Sequence, residues 1–401
     1  MPKPLRRLVA ALLGSALLAG GTLAAVSALL PDTFYTAGEL ELASMPWLTV
    51  QEQGANAAPV GSAQKYTSRN VTLALWGMVP VKTVRTVAAE RRTVQVSGEP
   101  FGIKMFSAGA LIVAFSDRAT VLGSENPAKE AGLRLGDLIV SAGGQAVRNN
   151  DELAAAVEHA AGGSLEIVYL RDGQQHTCTL TPVADRTTGV YRAGVWVRDS
   201  SAGIGTLTFV DPSKGTFAGL GHAISDTDTG KNITLLSGEI VPVIITGHVK
   251  GTAGAPGELR GEFPDAAALG TVLANDSTGI YGRWGGQEKG QSVPVAEIQE
   301  VTTGEAEILT TIAGSTPKRY KVIVERVNMT ASDPNRNLLV RVNDPALLAD
   351  TGGIVQGMSG SPIVQNGRLA AVLTHVLVND PTEGYAIFAA TMLEKADAVA
   401  E

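Results

Sequence analysis

The residues with the clearest chemical potential lie in the run Gly357-Met358-Ser359-Gly360-Ser361-Pro362. A serine between two glycines is typical of a nucleophile at a tight turn, because glycine permits sharp bending and a close approach of substrate. The backbone amides of Gly357 and Ser359 would then point at one place and stabilise an oxyanion. Since glycine, serine and proline mostly form ordinary turns, the run predicts acyl-transfer chemistry only if a base accompanies it.

Two serines compete for the role of nucleophile. We predict Ser359, because a glycine follows it directly and an amide donor lies two residues before it. Ser361 is the alternative. A serine hydroxyl attacks only when a neighbouring base takes its proton, and the chain order His, acid, Ser is one of the known orders for such a site.

His222 is the predicted base, in the run Gly221-His222-Ala223-Ile224-Ser225-Asp226. Histidine suits proton transfer because its pKa lies near neutral pH. His375 lies in an apolar stretch and is predicted to be a hydrogen-bonded core residue or a support behind the site. The remaining histidines are predicted to be structural: His159 on a helix, His176 on a strand and His248 in a turn.

The residues alone leave the acid open. Asp344 follows a predicted strand and precedes Pro345, which indicates a helix N-cap with proline at the first helical position. One oxygen of this carboxylate would cap the helix while the other oriented His222, so the two roles are compatible. Asp226 and Asp228 are alternatives close to His222 in sequence, and both are equally typical of turn residues.

Composition and motifs argue against other chemistries. The 401 residues carry a net charge of −7 without a long basic block, which argues against a nucleic-acid partner. Cys178 is the single cysteine, and the chain lacks a zinc signature, a phosphate-binding loop and a dinucleotide fingerprint. We therefore predict neither a cofactor nor a bound metal.

The N-terminus predicts export. Basic residues precede the uncharged, largely apolar run Leu8–Leu30, which as a helix of about 35 Å would cross a bilayer core of about 30 Å. Acidic residues follow the run, so the positive-inside rule places the body outside the cytoplasm. The length favours a membrane anchor over residues 1–30, and a signal peptide cleaved near Ala24–Ala28 is the alternative.

The rest of the chain divides into three predicted segments. Residues 31–90 read as a linker with short strands, and Gln51–Arg69 is small and polar enough to be a cleavable linker. Residues 91–184 form one coherent unit, and residues 185–401 are rich in strands with glycine-rich turns, which indicates a barrel or sandwich. The predicted strands of this last segment are Ala193–Arg198, Gly205–Val210, Ile240–Thr246, Glu305–Ile312, Arg319–Val327, Leu338–Val342, Leu369–Val378 and Tyr385–Ala389.

The unit at residues 91–184 resembles a PDZ domain. The likeness is carried by the order of its elements and above all by the run from Ala131 to Ile139, which reads Ala-Gly-Leu-Arg-Leu-Gly-Asp-Leu-Ile. The resemblance implies capture of an extended peptide by strand addition, with the backbone amides of Phe101, Gly102 and Ile103 receiving a terminal carboxylate. The alternative is that these residues are core and the groove is closed.

The chain as a whole resembles the stage IV sporulation protein B family of serine peptidases. The likeness is carried by Gly221–Asp226, Asp344-Pro345, Gly352–Pro362 and Thr374–Thr382. It implies a triad of His222, Asp344 and Ser359, with the aspartate fifteen residues before the serine. We therefore expect a mainly β protein with an N-terminal transmembrane helix, a PDZ domain and a chymotrypsin-like double β-barrel.

The resemblance also implies a role in sporulation signalling. Such a protein is made in the forespore and exported to the space between two membranes, where it cuts a regulatory subunit of a membrane complex and so triggers processing of a sigma factor precursor. Its expected partners are this substrate, a peptide ligand of the PDZ domain and the membrane. The alternative is a tethered PDZ adaptor or sensor with an inactive peptidase body.

Overall fold

The protein is mainly β, with two six-stranded barrels, a PDZ domain and a small N-terminal sheet. The structure is a computed structural model that describes residues 20–52, 58–59, 67–120, 123–287 and 290–400. None of the helices within these residues combines enough length and apolar character to cross a membrane. Most of the predicted anchor, residues 1–19, lies outside the described residues.

The short strands predicted in the N-terminal segment form a sheet, and most of the predicted linker Gln51–Arg69 lies outside the described residues. A helix, α1, spans residues 20–28. The strands that follow it pair in the order β1-β5-β4-β2, with β3 beside β4. Apolar side chains of this segment form a separate core, in which Leu30 and Phe34 are fully buried. The five strands are β1 (Thr33–Thr36), β2 (Leu48–Glu52), β3 (Ala58–Pro59), β4 (Thr67–Leu75) and β5 (Val79–Ala88).

The next part of the chain interleaves the PDZ unit with the start of the first barrel. Its strands and helices are β6 (Thr93–Val96), β7 (Pro100–Phe115), β8 (Arg118–Thr120), β9 (Gly123–Glu125), α2 (Pro127–Glu130), β10 (Leu138–Ala142), β11 (Gln145–Ala146), α3 (Asn150–Ala160), β12 (Leu165–Arg171), β13 (Gln174–Leu180), β14 (Val183–Ala184), β15 (Tyr191–Arg192) and β16 (Val195–Asp211).

Two long strands join the PDZ unit to the first barrel. The second half of β7 pairs with the first residues of β16 in the PDZ sheet, where Phe115 lies opposite Val195. The same two strands continue into the barrel, where Ile103 lies opposite Gly203. The PDZ unit is therefore inserted between the first two barrel strands. The predicted boundary at residue 91 needs correction, because Thr93–Val96 and the first half of β7 pair with barrel strands.

The first barrel closes through the pairing of β7 with β16. Around the ring the order is β7, β18, β21, β22, β17 and β16. Large apolar side chains such as Phe101, Phe217 and Ile240 fill its interior. The elements that follow β16 are β17 (Thr216–Gly219), β18 (Leu235–Pro242), β19 (Ile244–Val249), β20 (Glu258–Glu262), β21 (Gly270–Asp276), β22 (Gly279–Trp284) and β23 (Gln291–Pro294).

The second barrel is closed by the order β24-β25-β26-β29-β28-β27. The C-terminal helix α5 packs Met392 and Leu393 against a cluster that also contains Phe209 and Tyr281 of the first barrel, so the two barrels share an apolar interface. The elements are β24 (Gly304–Thr310), β25 (Lys318–Val327), β26 (Leu338–Val342), α4 (Pro345–Thr351), β27 (Pro362–Gln365), β28 (Arg368–Leu377), β29 (Asp380–Phe388) and α5 (Ala389–Ala400), with 3-10 turns at Ile298–Glu300 and Pro334–Arg336.

Candidate active site

The loop that carries Ser359 is held by the last part of β16. The Thr206 amide donates to the Ser359 carbonyl at 3.0 Å, and the Thr206 hydroxyl donates to the Gly357 carbonyl at 2.9 Å. The Thr208 hydroxyl donates to the Gly360 carbonyl at 2.8 Å. A strand of the first barrel thus fixes the backbone of a loop that belongs to the second barrel.

Gly360 is required by this close approach. Its φ of +95° lies in the region that favours glycine. A Cβ at this position would lie 2.1 Å from the Thr206 carbonyl oxygen, which is closer than real atoms approach. The glycine after the predicted nucleophile therefore lets the two barrels touch, as well as allowing the turn.

The amides of Gly357 and Ser359 are oriented as an oxyanion site requires. The Gln356 carbonyl accepts from the Leu259 amide, and the Met358 carbonyl accepts from Ser361. Because N–H and C=O point in opposite directions across a trans peptide, the next amides point away from these partners. Among the described residues neither amide has an acceptor, and Gly357 and Ser359 both line one cleft.

The two candidate serines have different environments. The Ser359 hydroxyl lines the cleft and donates to the Thr374 carbonyl at 2.8 Å. Ser361 is fully buried and donates to the Met358 carbonyl at 2.6 Å and to the Thr310 hydroxyl at 3.0 Å. Ser361 therefore shapes the loop from inside, while Ser359 is the serine that a substrate can reach.

His222 lines the same cleft as Ser359, directly after β17. Its Nδ1 lies 2.8 Å from the Ala223 carbonyl oxygen. Since a carbonyl only accepts, Nδ1 carries the proton and Nε2 keeps a free lone pair, which is the tautomer that a general base needs. Burial lowers the pKa of His222 below its ordinary value, although the bond to Ala223 partly offsets this effect.

His375 is a second imidazole that lines the cleft. Its ring centroid lies 4.8 Å from that of His222, with the planes tilted by 35°. Desolvation, and then the proximity of His222, lower the pKa of His375 to about 4, so it is neutral at physiological pH. Of the two roles expected for His375, the core position is wrong, because His375 lines the cleft beside the predicted base, and the supporting role stays a prediction. The alternation of polar and apolar residues around His375 on a strand was the sequence signal that could have placed its side chain outside the core.

Asp344 is not brought to His222. Its carboxylate caps α4, accepting from the amides of Ala346 at 3.0 Å and Leu347 at 3.3 Å, and it also accepts from the Lys321 amide at 3.1 Å. Burial acts to raise its pKa, but these three amides outweigh burial and hold the Asp344 pKa below its ordinary value. The predicted cap with Pro345 at the first helical position is confirmed. Both carboxylate oxygens accept from backbone amides, and among the described residues no hydrogen bond joins Asp344 to His222.

The alternative acids also have other partners. Asp226 accepts from the amide and hydroxyl of Thr229, as a turn residue does, and its other oxygen binds Arg198. Asp228 binds the same guanidinium at 2.7 Å. These contacts link the loop after His222 to a strand of the PDZ sheet, because Arg198 lies opposite Leu111 there.

Asn275 is a positioning residue that sequence reasoning missed. It lies near the end of β21, and its Oδ1 accepts from the Ile224 amide at 2.7 Å. Its Nδ2 donates to the carbonyls of Ile224 and Ile233, both at 3.0 Å. A single side chain therefore fixes both ends of the loop that follows His222.

The cleft between the barrels has a volume of about 380 Å³. Its walls come from β16, from the loop after β17, from the loop that carries Ser359 and from β28. Within the described residues no group of histidine, cysteine and carboxylate side chains is placed to hold a metal ion. The arrangement offers a nucleophile, a neutral imidazole and two free amides around one space.

The predicted peptide-binding backbone of the PDZ unit is corrected. Phe101, Gly102 and Ile103 lie in the first barrel, where β7 pairs with β16 on one side and with β18 on the other. Phe101 and Ile103 are buried in the barrel core. A third strand cannot add to a strand that already has two partners, so these residues cannot receive a peptide by strand addition.

A free strand edge exists instead on β16. Among the described residues, β7 is the only strand that pairs with residues 195–205. Helix α3 lies beside the first part of this edge, because Asp199 accepts from the Asn150 amide at 2.8 Å and Glu158 lies 3.7 Å from Arg192. A helix alongside an open sheet edge is the arrangement that accommodates an added strand.

The comparisons with known proteins agree with this architecture. The sequence pattern described as SpoIVB peptidase S55 matches residues 189–393, slightly more than half of the chain. The chain belongs to the SpoIVB peptidase S55 family. Its members are serine peptidases, which agrees with a cleft that both Ser359 and His222 line. A PDZ domain pattern matches residues 120–171, and comparison with curated proteins gave no match.

Solved structures include local likenesses to each part of this S55 peptidase. The PDZ domain of the SdrC-like protein Lmo2051 from Listeria monocytogenes is 19% identical (TM-score 0.19) over 22% of this chain and 87% of its own. The active form of the Rv3671c protease from M. tuberculosis is 15% identical (TM-score 0.30) over 49% of this chain and 74% of its own. The thermostable serine protease AL20 from an extremophilic microorganism is 11% identical (TM-score 0.31) over 50% of this chain and 91% of its own.

Proposed function

We propose that this serine peptidase is a membrane-anchored endopeptidase that cuts a regulatory membrane protein during sporulation signalling. The observation that carries the proposal is the convergence of Ser359, His222 and two unpartnered amides on one cleft. The Ser359 oxygen attacks a peptide carbonyl carbon, and Nε2 of His222 takes the hydroxyl proton. The amides of Gly357 and Ser359 bind the resulting oxyanion.

The remaining steps follow from the same groups. His222 returns the proton to the leaving amine as the C–N bond breaks, which leaves an ester on Ser359. A water molecule, deprotonated by His222, then hydrolyses this ester and releases the new carboxylate. The Ala223 carbonyl holds the imidazole in the required tautomer, which is the task that an aspartate performs in other sites. The resemblance places Asp344 as the third member of the triad; its carboxylate accepts from three backbone amides, and the Asp344→Asn variant tests whether it also orients His222.

The setting of the reaction is part of the proposal. The apolar run Leu8–Leu30 would hold the body at the outer face of the membrane, in the forespore intermembrane space. The PDZ unit captures a peptide at the free edge of β16, beside α3. The regulatory substrate and the link to sigma factor processing rest on membership of the S55 family.

The test is labelling of the full chain with a fluorophosphonate, followed by mass spectrometry of the adduct. Wild type should be labelled at Ser359, Ser361→Ala should be labelled at the same residue, and Ser359→Ala should not react. His222→Ala should label far more slowly, because the serine then has no base. Absence of labelling in wild type, with peptide binding retained, would favour the alternative of a tethered PDZ adaptor or sensor with an inactive peptidase body. Residues before 70 should be kept, because the N-terminal sheet contacts the peptidase body through Gln299.

A further inference from the structure

Strand β16 serves three parts of the molecule in succession. Its first residues form the outer edge of the PDZ sheet, beside α3. Its middle residues, Ser201–Ile204, line the active-site cleft. Its last residues include Thr206 and Thr208, which hold the nucleophile loop. One continuous strand therefore runs from the peptide-capturing edge to the nucleophile.

The edge of this strand is open along the whole distance. Within the described residues, positions 195–205 pair with β7 alone and have no strand on the other side. The side chains from Ser200 to Gly203 are small, and a Cβ at Gly203 would have nothing within 4 Å. Small side chains on an unpaired edge leave the backbone accessible to a second extended chain.

The start of the edge is built to receive a carboxylate. The Ala193 carbonyl accepts from the Ala128 amide, and the Gly194 carbonyl accepts from the Ser116 amide. The amides of Gly194 and Val195, each trans to one of these carbonyls, therefore point away from the PDZ sheet. Gly194 has φ +79°, the left-handed conformation that successive anion-binding amides use. Arg192, which is partly exposed, lies two residues before Gly194 and is ion-paired to Glu158 at 3.7 Å.

We propose that β16 acts as a ruler, so that this peptidase cuts extended carboxyl-terminal tails at a fixed distance from their free carboxylate. The tail would place its carboxylate at Gly194 and Val195 and pair antiparallel with the open edge. Its upstream residues would then reach the cleft at Gly203. This inference rests on the proposed function, because it needs Ser359 to cleave and the PDZ edge to bind.

The length of the strand sets the distance. Val195 and Gly203 are eight positions apart, which at about 3.3 Å per residue is at most roughly 26 Å, because the pairing of β16 with β7 is irregular between Arg198 and Ser200. An antiparallel partner pairs residue for residue, so the tail residue opposite Gly203 lies about eight positions before the carboxylate. The scissile bond lies slightly further upstream, which predicts released fragments of roughly 9 to 12 residues.

One contact lies across the path of the tail. Asp199 accepts from the Asn150 amide at the start of α3. This bond is exposed, and a tail that pairs with β16 would replace it with its own backbone hydrogen bonds. Asp199→Ala removes the contact and should raise the cleavage rate without changing the fragment length.

The test uses peptides whose local sequence is the same at every possible site. Peptides are built from one repeated tripeptide, end in valine, and are lengthened by one repeat at a time, so that subsite preference alone cannot select a bond. The full chain is incubated with each peptide, and fragments are measured by mass spectrometry. A ruler predicts that the C-terminal fragment has one constant length, however many repeats the peptide contains. Amidation of the terminal carboxylate should lower kcat/KM by roughly tenfold to a hundredfold, the worth of a charge-assisted hydrogen bond.

Each outcome decides a separate point. Cleavage at many repeats with equal yield, or no effect of amidation, would overturn the ruler and leave the peptidase intact. No cleavage from a chain whose Ser359 still reacts with a fluorophosphonate would overturn the substrate class. No phosphonate reaction would overturn the proposed function itself. Arg192→Ala should weaken cleavage of free-acid peptides only, while Arg186→Ala, an exposed arginine earlier in the same hairpin, is the matched control.

Discussion

Replacing Asn275 with alanine tests whether one side chain positions His222, the proposed base. Asn275 makes three hydrogen bonds to Ile224 and Ile233, and after its removal the Ile224 carbonyl keeps only its bond from the Ile233 amide. At about 1 kcal/mol for each bond, the loop loses about 3 kcal/mol of its local order. A displacement of His222 by about 1 Å is enough to slow catalysis roughly a hundredfold.

The assay is the rate of Ser359 labelling by a fluorophosphonate, measured beside urea unfolding. Asn275→Ala should slow labelling by roughly 10- to 100-fold, equivalent to about 1.4 to 2.7 kcal/mol in the barrier. Asn275→Asp should be at least as slow, because its carboxylate would face two carbonyl oxygens. Asn232→Ala removes one exposed bond from the Ser225 hydroxyl in the same loop and should stay within twofold of wild type. Labelling of Ser359 in Asn275→Ala at the wild-type rate would show that Asn275 does not position His222.

Four further results are expected. Ser361→Ala should lower the free energy of unfolding by about 1 to 2 kcal/mol in urea while phosphonate labelling persists, because its two buried bonds are structural. Asp344→Asn keeps a capping oxygen and should change kcat/KM by less than about threefold, whereas a loss of about 10⁴ would show that this carboxylate reaches His222 in another arrangement. The acid limb of kcat/KM should lie below pH 6.5, because His222 must be neutral and burial lowers its pKa; a limb above pH 7 would contradict this. Burial, and then Glu300, raise the pKa of Glu297 from 4.5 to about 7. The folded state therefore holds a proton that the unfolded state releases, and the free energy of unfolding falls as pH rises between these values. Glu297→Gln should be more stable than wild type in urea at pH 8, and equal stability of the two proteins would contradict the shift.

Local features of the fold were predictable because local chemistry determines them. The helix that starts after Asp344 and the strand Leu338–Val342 follow from a capping pair and from apolar alternation, and both are confirmed. The choice between Ser359 and Ser361 also followed from nearest neighbours.

Long-range pairing was not predictable in the same way. Phe101 and Ile103 look like a peptide-binding strand because apolar alternation is the same in a barrel and in a groove. Only their partners, Gly205 and Gly203 on one side and β18 on the other, place them in the barrel. The same limit hid Asn275 and left the position of His375 open between core and site, since their proximity to the loop of His222 depends on how distant strands close a ring.

The insertion of the PDZ unit into the first barrel has a consequence for folding order. Ile103 and Gly203 are one hundred residues apart in sequence, so the unfolded chain must close a long loop to pair them. A PDZ unit that folds first brings Leu111 and Arg198 together and shortens that loop to roughly ten residues, which saves about 2 kcal/mol of closure entropy. During synthesis the PDZ unit is therefore complete well before the barrel around it is able to close, and the cleft forms only after β28, which supplies one of its walls, has been synthesised.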